Sequence, residues 1–346
     1  MNKIFGIVTI SFIGLSLFSI HAFAAFSDIK EGDRNYLAIT YLQDQGIITG
    51  YDDNTFKSGA KINRAEALKM IISAIPMSIS IDSVVLEDTT VTVSEFSQSA
   101  VVSEASNLFP FPQTHPFPDT PIDSWYTPYI QFAKQKNIIS GRPDGNFHPE
   151  ENINLAESLK ILLETAKSAD ITISLDNVTV SLSNHDFTVL ENYLHKDTTK
   201  NEWFAKYTTL ASSLGLLDIQ KNDTINPQQE MTRGYLAEII YRFQKSREGY
   251  EFGKATWYGL AVQGSNTASG QTFDANTFTA AHKYLPFNSV VEVTNLANSQ
   301  SVEVRITDRG PYGPGRVLDL SSGAFKQIAS LGSGIINVQY KVTYLP

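Results

Sequence analysis

The sequence predicts a multidomain protein in which mainly α-helical hairpin repeats with β-containing insertions precede a small six-stranded β-barrel. Two observations lead to this prediction. The first two thirds of the chain repeat themselves at offsets of 91 and 169 residues, and from about Tyr250 helical spacing gives way to strand-like alternation. With 346 residues, 42% of them hydrophobic and 18% charged, the chain is long and apolar enough for several folded domains.

The predicted segments follow one another without overlap. They are a signal peptide (1–25), repeat 1 (26–76), an insertion (77–116), repeat 2 (117–168), an insertion (169–200), repeat 3 (201–246) and the barrel (250–346).

The N-terminal segment has the features of a secretory signal. Lys3 supplies positive charge, residues 4–20 are mostly apolar, and Ala22 and Ala24 place small residues where a signal peptidase reads them. Cleavage is expected within a residue of Ala24, after which no stable membrane insertion is expected. The alternative is a retained membrane anchor, because residues 4–26 are nearly long enough to span a bilayer.

The net charge and the residue content of the chain limit which binding partners and cofactors are expected. The formal net charge of −9 makes nucleic acid an unexpected partner, because phosphate backbones repel an acidic chain. The chain has no cysteine, so neither disulfides nor a lipid-bearing N-terminal cysteine is available. The six histidines show no metal-ligand spacing, and neither a metal nor another cofactor is expected.

Three copies of one pattern make up the repeats, each predicted as helix, loop and helix. The second helix of each copy begins at a good N-cap, Asn63, Asn154 or Thr232, and in the first two copies a glutamate three residues later completes a capping box. The aligned stretches are 50–56 with 141–147, 26–28 with 117–119, 62–66 with 153–157, 46–48 with 215–217, and 62–64 with 231–233.

These stretches, together with Trp125 and residues 141–149 and 154–160, resemble the S-layer homology domain. The resemblance implies a pseudo-threefold unit whose grooves bind an anionic secondary cell-wall polysaccharide, with an arginine at the start of each second helix in contact with it. That position holds Arg64, Leu155 and Arg233, so one groove is expected to be weak. An arginine at a helix N-terminus suits a carboxylate, although both arginines are alternatively plain surface charges.

The insertions remain without a predicted function. Both are rich in Ser, Thr and Val with alternating stretches that suggest short strands, and the proline-rich run 109–116 is expected to be an extended linker.

The C-terminal segment alternates in the manner of strands. Residues 253–258, 290–295, 302–306, 316–320 and 335–344 are the predicted strands, and residues 321–331 form the one predicted helix. About a hundred residues with roughly six short strands are typical of a small closed barrel.

Motifs in this segment resemble the double-psi β-barrel of the rare lipoprotein A family. They are residues 255–259, 267–270, 279–282, 285–286, 293–295, 304–311 and 319–321, in this order. The resemblance implies a lytic transglycosylase that cleaves peptidoglycan glycan strands, with a preference for strands stripped of peptides. More distantly, Asp308 with Asp319 resembles the paired aspartates of expansins.

Residue chemistry supports a site in the barrel. Glycoside cleavage needs a carboxylic acid, and Asp308, expected at a strand end at the barrel mouth, is the first candidate for both acid and base. Asp319 is the candidate for a second role, and His282 for orienting or polarising. Arg309 is expected to stabilise the turn or bind substrate. Trp257, Tyr258 and Tyr312 are candidate faces for stacking against sugars.

Each of these residues also has a structural alternative. In these alternatives, Asp308 caps a turn and Asp319 is a dipole partner of the last helix. His282 is then a packed histidine, and Trp257 and Tyr258 belong to the barrel core. Gln271 stands where the family usually has an acidic residue. If that residue is the acid, the barrel only binds glycan; if Asp308 is the acid, activity survives.

The function predicted from the sequence is therefore a secreted, wall-anchored lytic transglycosylase at the bacterial cell surface. The rivals are a non-catalytic, expansin-like module that binds or remodels peptidoglycan, and a purely structural surface protein.

Overall fold

The computed structural model describes residues 25–75, 115–175, 178–182 and 187–346. The predicted signal peptide and nearly all of the first insertion lie outside these residues. Across the described ranges, no helix combines the length and apolarity needed to cross a membrane.

Three pairs of helices occupy the part of the chain before the barrel. They are α1 (Tyr36–Asp44) and α2 (Arg64–Ala74), α3 (Thr127–Gln135) and α4 (Leu155–Ser168), and α5 (Ala205–Ser213) and α6 (Arg233–Arg247). The predicted caps are confirmed: Asn63 and Asn154 form capping boxes with Glu66 and Glu157, and Thr232 accepts the Tyr235 N–H.

The three second helices are joined in a closed ring. The N–H of Arg64 donates to the Glu151 carbonyl, that of Leu155 to Gln229, and that of Arg233 to Ala60. Each repeat therefore places the start of its second helix on the loop of the next repeat, and repeat 3 returns to repeat 1. No repeat can satisfy these backbone groups by itself, so the three are expected to fold as one unit.

An aspartate stabilises each loop in the same way. Asp28 accepts the N–H groups of Phe56 and Lys57, and Asp119 and Asp197 do the same for the corresponding pairs in repeats 2 and 3. The second insertion contributes an antiparallel pair, β1 (Thr172–Leu175) and β2 (Val178–Ser181). Short 3-10 turns lie at Glu191–Tyr193, Leu260–Val262 and Leu331–Ser333.

The closed six-stranded barrel that the sequence predicts is confirmed. Its strands are β3 (Glu251–Tyr258), β4 (Thr279–Ala281), β5 (Val290–Asn295), β6 (Ser301–Asp308), β7 (Arg316–Ser321) and β8 (Ile335–Tyr344), with one helix, α7 (Ser322–Ile328). The order around the barrel is β3-β7-β4-β6-β5-β8, with β3/β7 and β4/β6 parallel and the other pairs antiparallel.

The barrel core fixes which residues face outward. Ala255, Leu318, Leu320, Ala280 and Ile306 are fully buried among the core side chains. Because side chains alternate along a strand, the residues between them point to the opposite face. That outer face of β3, β7, β4 and β6 carries the polar residues of the candidate site.

The barrel packs on the helical unit at the junction between repeats 3 and 1. Lys254 forms an ion pair with Asp218 at 3.0 Å, and the Tyr241 hydroxyl donates to the Gln339 side chain at 2.7 Å. Phe252 lies in the core of the helical unit, and the Gly32 N–H donates to the Ala297 carbonyl. One of the three junctions is therefore covered by the barrel.

Candidate active site

One row of residues crosses four neighbouring strands. Thr256 pairs with Asp319, Asp319 with Ala281, and Ala281 with Asp308, following the strand order β3-β7-β4-β6. Paired residues point to the same face, so the two aspartates stand on either side of the small Ala281 side chain. Two strand spacings separate them, or about 10 Å between Cα atoms.

A β-bulge aims Asp308 into this row. Ala280 pairs with Ile306 but Ala281 pairs with Asp308, so Thr307 and Asp308 both oppose Ala281. Without the extra residue, regular alternation would point the Asp308 side chain into the core, like that of Ile306 two positions earlier. Bulges are frequent beside active sites because they redirect a side chain in this way.

The Asp308 carboxylate is held by backbone donors. Its Oδ1 accepts the Ala268 N–H at 2.9 Å and the Arg309 N–H at 2.8 Å. Two N–H groups aimed at one oxygen suit the ionised form of a carboxylate. Part of the structural alternative therefore holds, since Asp308 does stabilise the turn, yet it also ends β6 as the sequence predicts.

Asp319 has a different environment. Burial raises its pKa, as does the charge of Asp308, while a hydrogen bond from the Thr256 hydroxyl and the charge of Arg316 act in the opposite direction. Asp319 lies two residues before the end of β7. The N-cap of α7 is Ser321, whose side chain accepts the Ala324 N–H, so Asp319 does not cap the helix.

Tyr258 follows Thr256 by two residues on the same face of β3. Burial raises the pKa of Tyr258 well above its usual value, the charges of Asp308 and Asp319 raise it further, and a contact of its hydroxyl with the Thr279 side chain acts in the opposite direction. The ring packs on Phe273 with centroids 4.6 Å apart, which fits the structural alternative of a packed residue better than a free stacking surface.

A cavity of about 210 Å³ is lined by Thr307, the residue before Asp308, but not by either aspartate. Thr279 also lines it, and the buried Thr307 hydroxyl oxygen has no hydrogen-bond partner among the described residues. Arg305 also lines it, as does Gln271, whose exposed side chain makes one long hydrogen bond of 3.4 Å to Asn288. Gln271 therefore lies at the rim of the site but not in the row that holds the two aspartates.

His282 is a packed histidine, which was the structural alternative. Its Nδ1 accepts the N–H groups of Tyr284 and Leu285, which requires the ring proton to lie on Nε2, the atom 3.0 Å from the Tyr340 hydroxyl. Tyr340 in turn donates to Glu251. Burial, with the charges of Arg309 and Lys283, lowers the pKa of His282 to about 4, so the ring is neutral at pH 7.

The remaining barrel candidates are not brought into the row. Arg309 donates to the His282 carbonyl at 3.3 Å and lies 3.7 Å from the Phe287 ring, which fits the turn-stabilising role. Trp257 points to the other face of β3, where its Nε1 donates to the Leu331 carbonyl and its ring packs on the core. Tyr312 is 78% exposed, as a stacking surface requires.

Sequence reasoning missed Thr256, Ala281, Thr279, Thr307 and Arg305. They lie inside the motifs that carry the resemblance, but no site role was assigned to them. Pairing across strands is what places Thr256 and Ala281 beside the aspartates. For Ala281 the sequence did carry a signal, which is its small side chain directly before His282. A side chain of this size leaves space between the longer side chains of the neighbouring strands.

The two arginines of the repeats are buried, so the surface-charge alternative is wrong. Arg64 Nε donates to the Phe147 carbonyl at 2.9 Å and its NH1 lies 3.2 Å from Glu157. Arg233 makes the equivalent bond to the Phe56 carbonyl at 2.9 Å, with Glu66 at 3.6 Å. Both arginines link one repeat to the next.

Comparison with known proteins separates the two parts of the chain. Residues 250–340 match the family described as lytic transglycolase. Residues 25–68 and 116–157 match the S-layer homology domain, which covers the first two repeats. In the part of the chain that the structure describes, no group of His, Cys, Asp and Glu side chains could hold a metal ion.

Two curated relatives are each similar to part of this chain. The probable endolytic peptidoglycan transglycosylase RlpA of Synechocystis sp. is 55% identical over 86 residues, which are 25% of this chain and 27% of that protein. The endolytic peptidoglycan transglycosylase RlpA of Pasteurella multocida is 46% identical over 110 residues, 31% and 37% of the two chains. The chain thus spans well under half the length of these relatives.

A solved structure of an expansin from Clavibacter michiganensis is 25% identical and covers 28% of this chain and 52% of that one, with a TM-score of 0.24.

Proposed function

We propose that the barrel cleaves peptidoglycan glycan strands as a lytic transglycosylase and that the helical repeats hold the protein in the bacterial cell wall. The observation that carries this proposal is the pair Asp308 and Asp319, on one face of the barrel on either side of Ala281 and in unlike environments. Glycoside cleavage commonly uses two carboxyl groups whose different surroundings give them different roles.

The different environments of Asp319 and Asp308 indicate which carboxyl group acts as the acid and which as the base. The desolvated Asp319, with its raised pKa, is suited to donate a proton, and its Oδ2 makes no hydrogen bond within the described ranges. Asp308, held by two N–H groups, is suited to act as an ionised base. This assignment differs from the sequence-based hypothesis, in which Asp308 serves as both acid and base and Asp319 has a second role.

The reaction then follows without added water. Asp319 protonates the bridging oxygen as the bond from that oxygen to the sugar C1 breaks. Asp308 stabilises the positive charge at C1 and takes the proton of the same sugar's 6-hydroxyl as its oxygen bonds to C1. The product carries a 1,6-anhydro ring. The proton has moved from Asp319 to Asp308, and exchange with solvent restores the starting state.

Anchoring rests on the two junctions that the barrel leaves uncovered. At each junction, a tryptophan that is about half exposed lies beside a lysine of the preceding repeat. The Lys69 ammonium is 5.5 Å from the ring centroid of Trp125, and the Lys160 ammonium is 5.9 Å from that of Trp203. A flat ring beside a cation suits an anionic sugar polymer, here a secondary cell-wall polysaccharide. The three repeats would act as one S-layer homology-type unit of helical hairpins.

At the third junction, Arg34 and Glu238 occupy the positions of the tryptophan and the lysine. Arg34 also pairs with Asp218, the partner of Lys254 in the barrel. This junction is therefore proposed to dock the barrel rather than to bind polysaccharide.

The alternative is a non-catalytic, expansin-like module that binds or remodels peptidoglycan. It is favoured by Gln271, an amide that cannot donate a proton as an acid. One experiment separates the two: purified full chain is incubated with peptide-free glycan strands, and soluble fragments are measured by mass spectrometry. Cleavage is expected for the wild type and for Glu303→Gln, an exposed carboxylate on the same strand as Asp308, but not for Asp308→Asn or Asp319→Asn. Co-sedimentation with glycan but no fragments from the wild type would establish the binder.

Anchoring has its own test. The double variant Trp125→Ala and Trp203→Ala is expected to be washed from isolated walls while still cleaving soluble glycan. Retention equal to that of the wild type would contradict the proposed anchoring surfaces.

A further inference from the structure

A chain of two hydrogen bonds crosses the interior of the barrel, and the proposed reaction does not use it. His282 Nε2 donates to the Tyr340 hydroxyl at 3.0 Å, and that hydroxyl donates to Glu251. His282 lies one residue beyond β4, and two strands separate β4 from β8, which carries Tyr340, in either direction around the barrel. The chain therefore joins opposite walls of the barrel, and both Tyr340 and His282 are buried.

Glu251 sets the direction of both bonds. A carboxylate offers only acceptor atoms, so the single hydroxyl hydrogen of Tyr340 points to Glu251. The Tyr340 oxygen then accepts from His282, which places the ring proton on Nε2 and leaves Nδ1 without one. Nδ1 can therefore accept the N–H groups of Tyr284 and Leu285, at 3.1 Å and 2.9 Å.

The turn that His282 Nδ1 holds is joined to the end of β6. The backbone N–H of His282 donates to the Asp308 carbonyl at 3.2 Å, and the His282 carbonyl accepts from the Arg309 guanidinium at 3.3 Å. A ring proton on Nδ1 would face the N–H groups of Tyr284 and Leu285, and the turn would lose both bonds. The position of Asp308 thus depends on which nitrogen of His282 carries the proton.

We propose that Glu251 and Tyr340 are positioning residues for cleavage, because they fix the tautomer of His282 and through it the turn against which Asp308 is held. The proposal rests on the proposed function and extends its machinery to the opposite wall of the barrel. Both residues act through His282 and take no part in the proton transfers themselves.

The tautomer of His282 is measured by NMR on the full chain without substrate, with the histidine rings enriched in the heavy nitrogen isotope. The resonances of His282 are identified by their absence from His282→Gln. We expect a proton on Nε2 alone in the wild type and in Glu251→Gln, whose side-chain carbonyl still accepts from Tyr340. In Glu251→Leu the Tyr340 hydroxyl loses this acceptor and can donate to His282 Nε2, so the form with the proton on Nδ1 should appear.

Cleavage of peptide-free glycan strands by the same proteins gives the functional readout. Glu251→Leu is expected to lower kcat roughly tenfold, the effect of one hydrogen bond, with KM unchanged because the displaced carboxylate acts in the transition state. Glu251→Gln should retain the kcat of the wild type. Glu292→Leu, which removes an exposed carboxylate from β5, is the matched control and should also retain it.

Tyr340→Phe gives a second test, and its control separates positioning from stability. This variant leaves the Nε2–H of His282 without its acceptor and should lower kcat as Glu251→Leu does. Tyr241→Phe removes another buried hydroxyl, which donates to Gln339 beside Tyr340. It should lower the melting temperature without changing kcat or the His282 tautomer.

A wild type that cleaves glycan, together with a Glu251→Leu variant of unchanged kcat and unchanged His282 tautomer, would overturn the positioning role and leave the proposed function standing. A kcat that falls as far in Tyr241→Phe as in Tyr340→Phe would also overturn it, because lost stability would then explain both. Failure of the wild type to cleave would overturn the proposed function and the positioning role together.

Discussion

Asp308 and Asp319 stand on opposite sides of Ala281, each paired with it across one strand boundary of the barrel. They share a face of the barrel but not an environment, because two backbone N–H groups donate to the Asp308 carboxylate whereas burial has the largest effect at Asp319. This asymmetry between the two carboxyl groups underlies the predictions that follow.

Thr256 is predicted to set the alkaline limit of activity. Asp319 must be protonated to act as the acid, so the rate should fall as pH rises through its raised pKa. The Thr256 hydroxyl donates to Asp319 and lowers that pKa. Thr256→Val should therefore move the falling limb of the pH–rate profile to higher pH. Thr343→Val, on the opposite part of the barrel, is the control, and an unmoved or lowered limb in Thr256→Val would assign the acid role elsewhere.

The Tyr258 hydroxyl is predicted to serve the reaction and not the fold. It is buried, the charges of both aspartates act on it, and its contact with the Thr279 hydroxyl falls short of good hydrogen-bond geometry, so its removal costs little intramolecular hydrogen bonding. Tyr258→Phe should keep or raise the melting temperature while lowering the cleavage rate by roughly tenfold, the effect of one hydrogen bond in the transition state. Tyr344→Phe, exposed at the end of β8, is the matched control. A Tyr258→Phe enzyme of wild-type rate would place the hydroxyl outside the mechanism.

His282 is predicted to make the stability of the barrel depend on pH. Its pKa is about 4 in the folded protein against an ordinary value of 6.5, so between these values the unfolded chain binds a proton that the folded protein does not. The contribution is complete above pH 6.5 and is lost as pH falls toward 4, on the order of 3 kcal/mol. Urea unfolding from pH 7 to 4 should show this slope in the wild type and a shallower one in His282→Gln. Identical slopes in the two proteins would mean that His282 does not titrate as described.

Arg64 is predicted to hold repeats 1 and 2 together. Its guanidinium is buried between the Phe147 carbonyl and Glu157, so Arg64→Ala removes the donor to that carbonyl and the buried cation beside Glu157, which keeps only the more exposed Arg142 as an ion-pair partner. Breaking a buried pair of this kind costs about 3 kcal/mol. Arg142→Ala is the control, because that arginine pairs with Glu151 and Glu157 from a far more exposed position, and a change below about 1 kcal/mol is expected. Similar urea midpoints for the two variants would contradict the linking role of Arg64.

The sequence was most informative where local chemistry decides the outcome. The caps at Asn63, Asn154 and Thr232 depend on residues three positions apart, and the hairpin of β5 and β6 depends on alternation around a short turn. Both kinds of signal lie within a few consecutive residues, so the sequence predicted both the caps and the hairpin.

What could not be predicted depends on long-range pairing. The bulge at Thr307 and Asp308 arises from register with β4, and the partial burial that raises the pKa of Asp319 arises from the packing of the folded barrel. Likewise, the bonds of Arg64 to Phe147 and Glu157 could not be predicted, because these partners lie more than eighty residues away in the chain.

The most direct test of the proposed mechanism is whether oxygen from water is incorporated into the new sugar ends. Peptide-free glycan strands are digested by the purified full chain in water enriched in the heavy oxygen isotope, and the new sugar ends are weighed by mass spectrometry. If the 6-hydroxyl attacks with Asp319 as acid and Asp308 as base, every new end is a 1,6-anhydro sugar without heavy oxygen, and Asp308→Asn and Asp319→Asn yield none. New reducing ends that carry the label, or anhydro ends that persist in either variant, would contradict this account.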